Sequence, residues 1–282
     1  MKFNVIKSYA KINLSLGVTG RLNSKYHKIE SLVSFLKLHD EVKIKKINKK
    51  KHKIQFFGKF SKGINKDNTV SKLLKILDEK NLLNNEKYFI KIKKNIPQKS
   101  GLGGGSMNAS ALIRFFIYKK ILNFSKKNLI KLSKKIGQDV QFGLDNKIKI
   151  LHSNGNLESI AKKIGLFVII VKPNFGCSTQ LIYKGIKKYS QKKLKTKTKE
   201  YLSFVNILKL ENDLEKVVFK NYPKLKIVKL FMQSLPNIRF ARLTGSGSAM
   251  LGYFSSKNEA INAAKLFKKK YKNYWCITSK TI

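Results

Sequence analysis

Residues 97–108 read PQKSGLGGGSMN, and this glycine-rich stretch decides the fold of the chain. Before it, residues 89–93 alternate apolar and basic side chains, which is the two-residue period of a half-buried strand. After it, residues 109–122 place apolar side chains at helical spacing and include no glycine or proline. A loop between a strand and a helix N-terminus presents backbone N–H groups to an anion, and glycine lets a phosphate come close because it has no Cβ.

The stretch lacks the marks of the commoner phosphate loops. A Walker A loop ends in Gly-Lys-Ser or Gly-Lys-Thr, and the dinucleotide pattern G-x-G-x-x-G fails here at its last position, Ser106. The His-Arg-Asp and Asp-Phe-Gly triplets of protein kinases are absent from the sequence. A flexible linker is the alternative, but the clear strand and helix patterns on either side argue against it. The sequence therefore predicts a nucleotide-phosphate loop of a third type.

Length and composition favour two domains. The chain has 282 residues, and 42% of them are hydrophobic, which is enough for two cores. We expect no membrane span, because no apolar run reaches about 18 residues, and no signal peptide, because residues 1–10 are too polar. Two cysteines suit a reducing cytoplasm, and neither they nor the four histidines have the spacing of a metal site, so the metal ligands stay unknown.

The net charge of +46 comes almost entirely from lysine. Lysine, isoleucine and asparagine are abundant along the whole chain, as an AT-rich genome would produce. Base reading and bidentate phosphate contacts favour arginine, and the arginines are only Arg21, Arg114, Arg239 and Arg242. We therefore do not expect a nucleic-acid partner, although the positive field would attract anionic substrates.

The pattern Pro-x3-Gly-Leu-Gly-Gly-Gly-Ser-x-Asn resembles the phosphate loop of the GHMP small-molecule kinases. Its triple glycine most resembles the branch that uses ATP to phosphorylate the 2-hydroxyl of 4-diphosphocytidyl-2-C-methyl-D-erythritol, for isoprenoid synthesis. The resemblance implies ATP as cosubstrate, with Mg²⁺ carried by the nucleotide. The ATP-binding residues that it implies are Asn68, Lys94, Pro97, Gly101, Leu102, Gly103, Gly104, Gly105, Ser106 and Asn108.

The same resemblance implies an α+β protein with the two-domain GHMP kinase fold. Residues 1–152 would form an ATP-binding domain of the ribosomal-protein-S5-domain-2-like type, which holds the phosphate loop and the catalytic residues. Residues 153–282 would form an α/β-sandwich domain with the substrate pocket and a second glycine loop. Asparagine and glycine cluster near residues 150–155, which is where we place the boundary.

Two further motifs concern catalysis. Ala-Lys-Ile-Asn-Leu at residues 10–14 resembles the first family motif, which implies that Lys11 and Asn13 lie at the reacting hydroxyl. Gly-Gln-Asp-Val-Gln-Phe at residues 137–142 resembles the family pattern Gly-Ala-Asp-Val-Pro-Phe, which makes Asp139 the catalytic base. From the residues alone, Lys11 could be an outward-facing strand lysine and Asp139 a helix cap. An acid among apolar residues nevertheless stands out in a chain with 15 acidic and 61 basic side chains.

Other matches concern the acceptor. Tyr26-His27 matches a family Tyr-His that contacts cytidine, although Lys25 replaces the family glycine before it. Tyr183 lies one helical turn after Thr179, and an aromatic ring that stacks on a base contributes about 1–3 kcal/mol. The alternatives are a surface pair for Tyr26 and His27 and a core position for Tyr183. Residues 244–248 resemble the third family motif. The substrate-binding residues implied are Asn13, Tyr26, His27, Thr179, Tyr183, Gly245 and Ser246.

Local patterns predict further elements. Residues 41–47 and 52–57 are expected to form a hairpin, residues 70–80 a helix capped by Asn68, and residues 125–136 a helix that begins after Ser125 and ends at Gly137. Asn68 could be a cap and nothing more. The remaining expectations are strands at 3–16, 166–171 (covered on both faces), 239–243, 250–254 and 274–279, helices at 180–189 and 259–271 and from 212–215 onward, and a lysine-rich loop at 187–199.

Two other functions stay open at this point. Another GHMP kinase would share both glycine loops but would lack the Tyr-His pair and the Thr-x3-aromatic pair. A basic RNA-binding protein is conceivable because the N-terminal GHMP fold also occurs in ribosomal proteins, and it would bind RNA tightly and with strong salt dependence. The expected partners are two small molecules, ATP and the diphosphocytidyl acceptor, without a membrane, in a monomer or a homodimer.

Overall fold

The computed structural model describes residues 2–23, 26–191, 194 and 203–282. Contacts between Cα atoms divide the chain into two units whose sequence ranges interleave. The first unit comprises Met1–Lys11, Leu38–Gln98 and Gly103–Asn146, and the second comprises Ile12–Lys37, Lys99–Leu102 and Lys147–Ile282. The predicted boundary between residues 152 and 153 divides the chain by sequence alone and stays a prediction.

The helices and strands alternate irregularly along the chain. The strands are β1 (Asn4–Asn13), β2 (Gly17–Arg21), β3 (His27–Ile47), β4 (Lys53–Phe57), β5 (Lys87–Lys93), β6 (Ile148–Leu151), β7 (Leu157–Ile160), β8 (Phe167–Lys172), β9 (Phe240–Leu243), β10 (Met250–Phe254) and β11 (Trp275–Lys280). The helices are α1 (Thr69–Glu79), α2 (Gly104–Tyr118), α3 (Lys126–Ile136), α4 (Thr179–Lys184), α5 (Phe204–Lys209), α6 (Leu214–Asn221), α7 (Pro223–Gln233) and α8 (Lys257–Lys270), with a 3₁₀ helix at Val140–Leu144.

In the first unit, β5 is the middle strand between β4 and the later part of β3. It pairs antiparallel with β3, where Ile44 lies opposite Ile90, and parallel with β4, where Ile54 lies opposite Ile90. The predicted hairpin between residues 41–47 and 52–57 is therefore wrong. Strand β5 takes the position between the two because its alternating Tyr88, Ile90 and Ile92 are all buried, and a central strand has both backbone edges paired.

Helix α2 begins at Gly104, five residues before the apolar pattern that predicted it. Gly103 is its N-cap in the left-handed conformation, with φ 69°, and caps without a side chain. The pattern missed the first turn because Gly104, Gly105 and Ser106 carry no apolar side chain. The glycines of the loop therefore supply the unpaired N–H groups of a helix N-terminus.

Capping residues define where the other two α-helices described in the first unit, α1 and α3, begin. Asn68 caps α1, where its side chain accepts hydrogen bonds from the N–H groups of Val70 and Ser71. Ser125 caps α3, which ends at Gly137. Both predicted helices are confirmed, and their apolar faces join the core that α2 forms with β5.

The second unit contains a four-stranded antiparallel sheet in the order β11-β8-β10-β9. Ile170 on β8 lies opposite Ile277 on one side and Leu251 on the other. Residues 168–171 are all fully buried, which confirms the strand predicted to be covered on both faces. The later strands and the helices α6 and α8 also form where they were predicted, within one to three residues.

Some elements of the second unit differ from the expectation. Helix α4 ends at Lys184 rather than at residue 189, with Gly185 as its C-cap. A Cβ at Gly185 would lie 2.5 Å from Val217 Cγ1, so glycine leaves room for α6 there. The patterns missed β2, β6, β7, α5 and α7, and the Asn- and Gly-rich residues 152–156 turn the chain between β6 and β7. Most of the predicted loop at 187–199 lies outside the described residues. Within the described part of the chain, no helix is long and apolar enough to span a bilayer.

Candidate active site

Lys11 on β1 and Asp139 before the 3₁₀ helix form an ion pair in the first unit, with 3.1 Å between Nζ and Oδ2. The side chain of Lys11 is only 5% exposed, whereas that of Asp139 is 39% exposed. Lys11 is therefore not an outward-facing strand lysine, and Asp139 makes no capping hydrogen bond to the helix that follows it. A buried ammonium group requires an anion, and the half-open carboxylate that supplies it is also accessible to a ligand.

The ion pair lies against the first glycine loop, residues 101–106. A Cβ at Gly103 would lie 2.5 Å from Lys11 Cγ and 3.1 Å from Lys11 Cε, so only glycine leaves room for this lysine. The positive φ of 69° at Gly103 also favours glycine. The first unit thus places a cation, a carboxylate and the N-terminus of α2 next to one another.

A second lysine, Lys94, lies at the same helix N-terminus. Its buried ammonium group pairs with Asp40, which also accepts hydrogen bonds from the N–H groups of Asn95 and Ile96 at 2.7 and 2.9 Å. A Cβ at Gly104 would lie 3.2 Å from Lys94 Nζ. Sequence reasoning missed Asp40, and its scarcity as one of 15 acidic residues was the signal that could have found it.

Helix α1 also touches the first glycine loop. Thr69 Oγ1 donates to the carbonyl oxygen of Gly105 at 2.7 Å. The side chain of the neighbouring Asn68 caps α1 through its oxygen and donates through Nδ2 to the carbonyls of Asn65 and Lys66 at 2.9 and 3.2 Å. This geometry accounts for Asn68 as a cap, and its contact with adenine stays a prediction.

Three other predicted ATP-binding residues of the first unit differ in accessibility. Ser106 is partly exposed, and its Oγ would lie 3.8 Å from a Cβ at Gly137, next to the Asp139 motif. Pro97 is buried at the other end of the stretch. Asn108 is buried, and its Oδ1 has no hydrogen-bond partner among the residues that the structure describes.

In the second unit, the beginning of the first glycine loop packs on the second glycine loop, residues 244–248. The N–H of Ala249 donates to the carbonyl of Ser100 at 3.0 Å, and Thr244 Oγ1 donates to the carbonyl of Gly101 at 3.3 Å. A Cβ at Gly101 would overlap the carbonyl oxygen of Thr244, and the φ of Gly101 is +76°. Leu102 is buried, so its side chain anchors this part of the loop.

Asn13 faces the second glycine loop. Its N–H donates to Thr244 Oγ1 at 3.0 Å, and its Nδ2 donates to Ser31 Oγ at 2.8 Å. A Cβ at Gly245 would lie 3.5 Å from Asn13 Oδ1. The hydroxyl of Thr244 therefore links the second glycine loop to Asn13 of β1 and to Gly101 of the first loop.

The residues predicted to bind the acceptor form two contacts in the second unit. Thr179 Oγ1 lies 2.8 Å from Ser246 Oγ, and the rings of His27 and Tyr183 lie 5.3 Å apart between centroids with 33° between their planes. Tyr183 is partly buried and also packs on the core, so its two interpretations are compatible. Tyr26 is 50% exposed, and Lys25 lies outside the described residues.

The His27 site has two features that the motifs did not reveal. Tyr189 is a third ring, with its centroid 6.4 Å from that of His27, and it lies in a lysine-rich stretch without a pattern that could have marked it. Burial and the positive charge of Arg21 lower the pKa of His27 below its ordinary value. A neutral imidazole has one donor and one acceptor nitrogen, which suits recognition of a pyrimidine edge.

Comparison with known proteins identifies the family to which this chain belongs. The family model described as GHMP kinases N terminal domain matches residues 68–153. The 4-diphosphocytidyl-2-C-methyl-D-erythritol kinase of Pelagibacter ubique (strain HTCC1062) is 50% identical over 277 residues, which cover 98% of each chain. The protein of the same name from Clostridioides difficile (strain 630) is 30% identical over 99% of this chain and 96% of its own.

A solved structure supports the fold. The crystal structure of a 4-(cytidine 5'-diphospho)-2C-methyl-D-erythritol kinase matches with a TM-score of 0.78 over 98% of this chain and 99% of that chain. The two chains are 22% identical, so this likeness concerns the fold alone. The predicted GHMP kinase fold, a mixed α/β structure with two sheets, is confirmed.

Proposed function

Because this chain belongs to the 4-diphosphocytidyl-2-C-methyl-D-erythritol kinases of the GHMP kinase family, we propose that it phosphorylates the 2-hydroxyl of 4-diphosphocytidyl-2-C-methyl-D-erythritol with ATP. The products are the 2-phosphate and ADP, in the methylerythritol phosphate pathway to isoprenoid precursors. The observation that carries the mechanism is the ion pair of Lys11 and Asp139 against Gly103.

The first glycine loop holds the phosphates of ATP. Gly103 caps α2 without a side chain, which leaves the first N–H groups of the helix to phosphate oxygens, and the helix dipole adds to the attraction. The ammonium group of Lys94 lies at this N-terminus and contributes positive charge. Phosphoryl transfer depends mostly on such positioning and electrostatic stabilisation.

Asp139 is the proposed general base. It takes the proton of the 2-hydroxyl as that oxygen forms a bond to the γ-phosphorus, and the bond from the γ-phosphorus to the β,γ-bridging oxygen breaks to release ADP. Lys11 lies 3.1 Å from Asp139 and stabilises negative charge on the attacking oxygen and on the transferred group. The exposure of the Asp139 carboxylate supports this role, because a base must reach its substrate.

Mg²⁺ is proposed to enter with the nucleotide and to neutralise charge on its phosphates. Phosphate oxygens and water are ligands that suit this ion, so a dedicated protein cage is not required. Among the described residues, no three His, Cys, Asp or Glu side chains gather into such a cage.

The second unit is proposed to recognise the acceptor. His27 and Tyr183 offer rings for the cytosine, and Tyr26, directly before β3, adds an exposed ring. Thr179 and Ser246 place two hydroxyls 2.8 Å apart, which suits the hydroxyl and phosphate oxygens of the acceptor. Asn13 and Gly245 supply further polar groups at the second glycine loop.

The partners are proposed to be these small molecules alone, in a cytoplasmic monomer or homodimer. Two arginines serve internal contacts: Arg114 donates to the carbonyl of Gly143, and Arg242 donates to the carbonyls of Leu14 and Ile207. Neither guanidinium group is therefore presented to a nucleic acid, which disfavours the RNA-binding alternative.

The test is ADP release from ATP in the presence of the diphosphocytidyl acceptor, with mevalonate and homoserine as control acceptors. We expect turnover with the cytidine compound only. Turnover with a control would leave the phosphate loop and the base in place but would remove the cytidine assignment. Absence of turnover with all three, together with salt-dependent RNA binding, would favour the RNA-binding alternative.

A further inference from the structure

The residues Asn212, Asp213 and Glu215 lie around the start of α6, and their side chains bind backbone groups of the second unit that are distant in sequence. Asp213 Oδ2 accepts a hydrogen bond from the N–H of Val18 at 2.7 Å. Glu215 Oε1 accepts one from the N–H of Leu243 at 2.7 Å. The mechanism proposed above uses none of these three side chains.

Asn212 makes the contacts that matter most for the second glycine loop. Its Nδ2 donates to the carbonyls of Leu243 and Gly245 at 2.9 and 2.8 Å, and its Oδ1 accepts from the N–H of Leu214 at 3.1 Å. The side chain is buried, and the three hydrogen bonds determine its orientation, because the reverse orientation would place Oδ1 against two carbonyl oxygens.

These contacts hold the first part of the second glycine loop, which carries predicted ligand groups. The two carbonyls bound by Asn212 flank Thr244, whose hydroxyl accepts the N–H of Asn13. Ser246 follows Gly245 directly and reaches Thr179. Leu243 is held on both sides, its carbonyl by Asn212 and its N–H by Glu215.

We propose that Asn212 is a positioning residue that sets the second glycine loop for the acceptor, with Glu215 as a second point of attachment. The inference rests on the proposed function, since it assigns this loop to the acceptor. Asn212 acts through Gly245 and Ser246 and does not contact the substrate itself. Its loss therefore weakens acceptor binding more than ATP binding.

The first test is Asn212→Asp, which keeps the shape and the oxygen that Leu214 requires but replaces the two N–H donors with an oxygen that faces two carbonyls. We expect the KM for the acceptor to rise about ten-fold, because buried carbonyls without donors are costly, while the KM for ATP changes by less than about two-fold. The matched control is Asn221→Asp at the end of α6, where Nδ2 donates to the exposed carbonyl of Val217. This control should leave both KM values unchanged.

A second variant and a second readout cover the other outcomes. If Asn212→Asp does not fold, Glu215→Gln should show the same split between the two KM values with a smaller rise. Equal changes in both KM values, or none, in a folded variant would overturn the proposal.

If the wild type does not turn over the acceptor, the proposed function fails first. Calorimetric binding of CDP to the wild type and the variant then decides: unchanged affinity would reject the role of Asn212, and weaker affinity would support it.

Discussion

The two glycine loops have similar sequences but connect different elements and have different contacts. The first leads from the end of β5 into α2, and its glycines become the N-cap and first turn of a helix. The second joins β9 to β10, two antiparallel strands, and is held by side chains from other parts of the second unit. The first loop forms the start of a helix, whereas the carbonyls of Leu243 and Gly245 at the second loop are bound by Asn212.

The comparison shows that glycine content alone does not define a phosphate loop. A helix N-terminus adds unpaired N–H groups and a dipole, whereas a strand-to-strand turn provides neither. Two buried lysines lie at the first loop: Lys11 lies next to Gly103, and Lys94 lies next to Gly104. The second loop is approached by neutral groups, among them Asn13, Thr179 and Asn212. The charge of the side chains that contact each loop therefore distinguishes the two loops more clearly than their glycine-rich sequences do.

The largest expected effect tests whether the chemistry belongs with the first loop. Asp139→Asn keeps the shape of the side chain but removes its basicity, so we expect kcat to fall by about 10²–10⁴-fold, the usual contribution of a general base. The measurement is ADP release at saturating ATP and acceptor, with circular dichroism to verify folding. Asp67→Asn, an exposed acid next to the cap of α1, is the control and should retain full activity. Near-normal turnover of Asp139→Asn would remove the base assignment.

The next prediction concerns the contact between the two loops. In Gly101→Ala, the new Cβ would overlap the carbonyl oxygen of Thr244 and would also require a left-handed φ, so we expect a loss of about 4 kcal/mol in the free energy of unfolding. Gly63→Ala has a similar φ of +77° but nothing within 4 Å, so it should lose only about 1–2 kcal/mol. Urea unfolding measures both. Equal losses of unfolding free energy in the two variants would mean that the second loop can shift away from a Cβ at residue 101 at little cost.

The same substitution at a threonine of the second loop and at a threonine that bonds to the first loop sharpens the comparison further. Thr244→Val leaves the buried N–H of Asn13 without its acceptor, which should cost about 1–3 kcal/mol of stability. Thr69→Val removes the hydrogen bond to the carbonyl of Gly105, where solvent can replace the lost donor, and we expect a cost of under about 1 kcal/mol. Thermal or urea unfolding of the two variants side by side tests the order. A larger loss for Thr69→Val would contradict the idea that the second loop is the more firmly held.

The smallest expected effect is on pH dependence. Because burial and Arg21 lower the pKa of His27 below its ordinary value of 6.5, its imidazole is mostly neutral at pH 6.5, and the midpoint of its protonation lies at a lower pH. The KM for the acceptor should therefore rise as the solution becomes acidic, with the midpoint of the rise below about pH 6.5. The KM for ATP should lack this rise, and His27→Gln should abolish it. A midpoint at or above about pH 6.5 would show that the pKa of His27 is not lowered.

Much of the local structure followed from the sequence. The caps Asn68 and Ser125 were predicted, and so were the strand at 166–171 and the strands around the second glycine loop, because each depends on residues within a few positions of one another. The motif residues of the candidate site were identified by resemblance, which needs only their order along the chain. The roles of these residues in binding and catalysis stay predictions.

The tertiary structure decided the contacts that join distant residues. It placed β5 between β3 and β4, brought Asp139 to Lys11, and turned Thr244 and Asn212 into attachment points of the second glycine loop. It also set the start of α2 at Gly104, where no side chain marks the helix. The physical reason is the range of the interactions. A local pattern records hydrophobic spacing and capping within one element, whereas strand order, buried ion pairs and close approach at glycine depend on which elements pack together.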